Sequence, residues 1–162
     1  MTALPNLHPA VVHFPIALLI VAVAFDLASL LLRRCRWLDR AAAALFLLGA
    51  LGAWGALLSG EEAEEGLHGL SAEVGELIEE HEGWGKRTLI AAAVLALLRL
   101  GVAWRDRNEA LPRLVGARAA LVLAAAGSLW VLFETADRGA ALVYSHGVAV
   151  RATVSSSPQE GL

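Results

Sequence analysis

Cysteine is almost missing from this chain: Cys35 stands alone among 162 residues. That excludes a disulfide framework, a cysteine-based metal site and covalent c-type haem attachment. Charge is scarce as well. Asp, Glu, Lys and Arg make up 18% of the residues against 57% hydrophobic ones, too few for a soluble domain of this length, so the surplus apolar surface belongs in lipid. The 13 basic and 16 acidic residues nearly cancel, and no basic footprint points to nucleic acid. No Lys or Arg precedes the first apolar run, so the basic start of a cleaved signal peptide is lacking and the run is expected to be retained. HExxH and other compact ligand spacings are absent too, and no motif assigns the chain a reaction.

What is present is a set of long apolar runs built from Ala, Leu and Gly rather than from β-branched residues, which predicts helices and not strands. Four spans are expected, at about residues 10–32, 41–60, 87–105 and 115–135, forming one all-α polytopic membrane domain over 1–150 with a disordered tail at 151–162. Pro9 suits a first helical turn, and Pro15 bends the turns that follow. In the second span Gly52, Ala56 and Gly60 recur every four residues, a small-residue stripe that lets another helix approach closely. Between Glu61 and Gly85 there are nine glutamates and no Lys or Arg. Within that stretch Leu70, Val74, Leu77 and His81 repeat at helical spacing, which predicts a short amphipathic helix over 71–82 near the membrane surface.

The connections are sorted by charge. Arg33, Arg34, Arg36 and Arg40 follow the first span, and Arg105, Arg107, Arg113 and Arg118 lie between the third and fourth. Basic loops stay in the cytoplasm, so both termini are expected outside a bacterial inner membrane. All five histidines then fall on the outer side: His8 and His13 at the mouth of the first span, His68 and His81 in the acidic loop, His146 beyond the fourth span.

Three segments carry a resemblance. NLHPAVVHFPIA opening the first span, a histidine ahead of the third, and DRGAALVYSHGVAV after the fourth resemble the bacterial membrane family called domain of unknown function 2231, over most of residues 6–150. The resemblance implies a small integral-membrane domain, sometimes associated with electron-transfer proteins. Its histidine motifs correspond to His8, His13, His81 and His146. This chain departs from the usual glycines of the closing segment at Ala140 and Ala141.

Two cofactor chemistries suit these residues. Haem b between helices takes neutral imidazoles as axial ligands, and His13 and His81 are the first choices, with His146 and His8 further out. At about 100° per residue, His8 and His13 point to different sides of a helix, which gives His8 a supporting role. The alternative is zinc, copper or iron on His13, His81 and His146 with a carboxylate such as Glu61. A third reading has no cofactor and makes the chain an accessory subunit, as a homo-oligomer or beside a redox partner in the membrane. Asp26 lies inside the first span, where an ionised carboxylate turns inward, and Arg99 of the third span is its expected structural partner.

Overall fold

The computed structural model describes residues 7–32, 35, 37–105 and 115–150. Five helices account for most of them: α1 (His8–Val11), α2 (His13–Leu31), α3 (Trp37–Glu65), α4 (Ala72–Arg105) and α5 (Val115–Tyr144). No strand occurs among the described residues. Arg33, Arg34, Arg36, Arg107, Arg113 and the tail at 151–162 lie outside them.

The boundary between α1 and α2 follows from one missing donor. Pro15 has no amide hydrogen to give to the carbonyl of Val11, so the helical ladder breaks at Val12 while its backbone stays helical, at φ −61° and ψ −24°. His8–Leu31 therefore runs on as one apolar segment of 24 residues, about 36 Å long and enough to cross a bilayer.

Close packing fixes how that segment lies on α3. A Cβ at Gly49 would fall 2.6 Å from Leu19, one at Gly52 would fall 3.2 Å from Pro15, and one at Gly60 would fall 3.2 Å from the His8 ring. The small-residue stripe thus forms the track on which α1 and α2 rest. Successive helices pack side by side, α2 on α3, α3 on α4 and α4 on α5, and α2 closes the ring against α5. Leu19, Phe46, Leu95, Ala96 and Ala125 meet in the centre.

The amphipathic segment expected over 71–82 is helical but not a separate helix. It continues without a break into the third apolar run, so α4 has 34 residues and extends about 51 Å. Ser71 accepts the Val74 amide through its hydroxyl and starts the helix. Gly83 and Gly85 each disfavour helix by about 1 kcal/mol, and burial on either side offsets this. Val74 and Ile78 pack with Leu142 of α5, while Gly85 sits against Leu57 of α3. Likewise α5 continues past residue 135 to Tyr144.

Among the described residues, three segments qualify by length and hydropathy to cross a membrane: His8–Leu31, Trp37–Glu65 and Gly116–Tyr144. All four long helices nevertheless present large apolar side chains outward, among them Phe14, Trp54, Leu97 and Leu123. One end of the bundle gathers the glutamates and the described histidines; the other gathers Asp26, Asp39, Arg99 and Arg118.

Candidate functional site: a histidine pair at the acidic end

His8 and His81 meet between α1 and α4. Their ring centroids are 6.2 Å apart and the planes are nearly perpendicular, at 88°. Each ring is anchored through the same nitrogen. The His8 Nδ1–H donates to the Ala56 carbonyl at 3.0 Å and lies 3.1 Å from the Ser59 hydroxyl, which itself donates to that carbonyl. The His81 Nδ1–H donates to the Thr135 carbonyl at 2.9 Å. A carbonyl only accepts, so both rings carry their proton on Nδ1 and Nε2 is the lone-pair nitrogen, the tautomer suited to metal ligation.

The surroundings hold both rings in place. His8 lies over Gly60 and His81 over Gly139, where an added Cβ would approach Cε1 to 2.8 Å. Behind His81, Thr135 donates its hydroxyl to Val131, and the buried Thr88 donates to Thr135 at 2.8 Å. His81 precedes the apolar part of α4. Its burial holds the imidazole below its ordinary range, helped by the nearby His8 and Arg138 and opposed by the Thr135 hydrogen bond.

The other expected ligands stand apart from this pair. His13 is exposed, its Nδ1–H bonded to the Pro9 carbonyl 2.6 Å away in its own helical segment. His146 is exposed in the turn after α5, Glu61 is exposed near the end of α3, and His68 is exposed with its ring on the Leu67 carbonyl. Among the described residues, no three His, Cys, Asp or Glu side chains come close enough to hold a metal ion. The structure brings together His81, a first-choice ligand, and His8, expected in a supporting role. The partners Thr88, Thr135 and Gly139 escaped notice because nothing local marks them.

The opposite end holds a second polar cluster. Arg99 donates to Asp26, and both side chains are almost fully buried, at 2% and 0% exposure. Asp39 extends the cluster, 4.0 Å from Arg99 and 3.0 Å from Arg118. Asp39 lies in the first turn of α3, where the helix dipole favours a carboxylate. One residue from each of α2, α3, α4 and α5 thereby joins a single charge network.

A helical bundle with an apolar exterior, long enough in several helices to cross a bilayer, agrees with what the family comparison returns, a predicted membrane protein. No curated protein and no solved structure matches the chain. The family described as predicted membrane protein (DUF2231) matches residues 4–152, and the chain belongs to that family.

Proposed function

We propose that this is a four-span protein of the bacterial inner membrane that holds haem b between His8 and His81 and exchanges electrons with a redox partner at its outer side. The fourth span is the apolar part of α4. There Ile90, Val94, Leu97 and Leu98 face outward, Ala92, Leu95 and Ala96 face the core, and Arg99 is neutralised by Asp26. With the arginine-bearing end in the cytoplasm, the histidine end and both termini lie outside.

The separation of the two rings carries the cofactor reading. His8 and His81 would hold the group: their ring centroids lie 6.2 Å apart, and Nδ1 of each is bonded to a backbone carbonyl, so Nε2 would be the ligating atom. Nδ1 anchoring on carbonyls is the support that orients ligating histidines and raises their basicity. Haem supplies the one-electron couple when bound; the protein supplies neutral imidazoles, an apolar wall and small residues against the rings.

A cofactor-free accessory role is the second reading, favoured by the seating of each ring directly over a glycine. The visible spectrum and metal content of detergent-purified protein, made with ample haem, separate the two. The haem reading expects a Soret band that shifts on reduction, lost in His8→Ala and in His81→Ala and kept in His13→Ala. A folded, colourless, metal-free protein overturns it, and metal without porphyrin replaces it with zinc, copper or iron binding.

A further inference from the structure

A pocket of about 550 Å³ opens on the far side of α4 from the core, between the acidic ends of α4 and α5. Its charges are sorted along the helix. Arg87 stands where the apolar run of α4 begins, and Glu76, Glu79 and Glu80 lie two to three turns further out. Between them is Gly83, one turn from Arg87, with open space where a side chain would be. Trp84 forms a wall, its ring under the guanidiniums of Arg87 and Arg138 at 4.7 and 4.8 Å and edge-on to Trp130 at 5.4 Å.

The cations of this wall differ in what they already hold. Arg138 bonds Glu134 at 2.6 Å and Glu80 at 3.3 Å, which fixes the wall. Lys86 is paired with Glu82 at 2.7 Å. Arg87 lines the pocket, stacks on Trp84 and has no carboxylate partner among the described residues, which leaves its planar fork of donors with capacity for an anion. Seven to eight residues separate Arg87 from Glu80 and Glu79, about 10 to 12 Å of helix rise. Arginine and glutamate side chains are long enough to close much of that span across Gly83, down to the length of a short zwitterion.

We propose that this pocket binds the phosphoethanolamine headgroup of a membrane lipid, with the phosphate on Arg87 and the ammonium on Glu79 and Glu80. The inference rests on the membrane position of α4 and is independent of any cofactor at His8 and His81. Trp84 and Trp130 supply the aromatic pair that settles at headgroup depth. The order of charges follows the lipid: phosphate beside the apolar run, amine further out. Ethanolamine is selected over choline because only the primary ammonium donates hydrogen bonds to carboxylates. A headgroup with no cation is repelled by the three glutamates.

Native mass spectrometry of the full chain, released from detergent with ethanolamine, choline and glycerol phospholipids of identical acyl chains, tests this. The ethanolamine lipid is expected to be retained about fivefold more than either competitor, the equivalent of about 1 kcal/mol for an exposed ion pair. Arg87→Gln and Gly83→Leu, the latter filling open space, each abolish the preference while helical circular dichroism persists; either variant suffices if the other fails to fold. Equal retention of the three lipids overturns the proposal. So does displacement of the lipid by inorganic phosphate alone, binding of soluble phosphoethanolamine as tight as that of the lipid, or an undiminished preference in both variants.

Discussion

Gly139 of α5 lies so close to His81 of α4 that a methyl group on it would sit 2.8 Å from the imidazole Cε1. The ring cannot retreat without giving up its hydrogen bond to the Thr135 carbonyl. Alanine in place of glycine favours a helix by about 1 kcal/mol, while overpacking costs about 1 to 3 kcal/mol. Gly139→Ala is therefore expected to lower stability by about 1 kcal/mol net. Gly60→Ala, with 3.2 Å to His8, is expected to come out close to neutral. Thermal unfolding of both variants in one detergent checks the order, and a Gly139 variant as stable as the parent refutes it.

Removing the carboxylate of Asp26 leaves Arg99 buried beside Asp39 alone, 4.0 Å away. Breaking a buried pair from one side costs about 3 to 5 kcal/mol, whereas replacing both partners by apolar residues of similar size costs far less. Asp26→Ala is expected to unfold at markedly lower denaturant, and the double variant Asp26→Leu with Arg99→Met to recover most of the loss. Equal damage in the single and double variants would show that the pair itself contributes the stability.

Stability also depends on pH through His81. Its pKa is lowered in the folded protein by burial, with His8 from α1 and Arg138 from α5 adding to the effect. The unfolded chain then takes up a proton near pH 6.5 while the folded one does not. This contribution is fully present above that pH and is lost as pH falls toward the folded value. His81→Gln is expected to flatten the acid side of the stability profile, measured by melting temperature between pH 7.5 and about 5. An unchanged slope in the variant argues against a neutral, buried His81.

Orientation is checked by Cys35, half-buried at the arginine end and the only cysteine in the chain. A membrane-impermeant maleimide is expected to leave it unlabelled in spheroplasts and to label it in inside-out vesicles. Cys35→Ser combined with His68→Cys reverses the pattern. Labelling of Cys35 from the outside inverts the proposed topology.

Helical character was legible because Ala, Leu and Gly dominate runs of span length, and the stripe of Gly52, Ala56 and Gly60 marked the face that takes the first helix. What the residues did not reveal was continuity. The helix expected over 71–82 and the span expected from 87 are one element, running unbroken through Gly83 and Gly85 with Val74 and Ile78 packed on Leu142. For the site, helical phase did separate His8 from His13, but phase cannot say which of them meets α4. That choice depends on where α3 offers room, at Gly60 and Ala56, and on α5 offering Gly139. Asp39 escaped notice because its role appears only when α3 brings it between Arg99 and Arg118.

The continuity of α4 has a geometrical consequence. His81 and Arg99 are eighteen residues apart, which is five full turns at 3.6 residues each, so both project from the same side of one rod. The histidine pair and the charge network are thus set in angular register by residue count alone. Inserting or deleting a single residue anywhere between them rotates one by about 100° relative to the other, and no rearrangement within either cluster restores both.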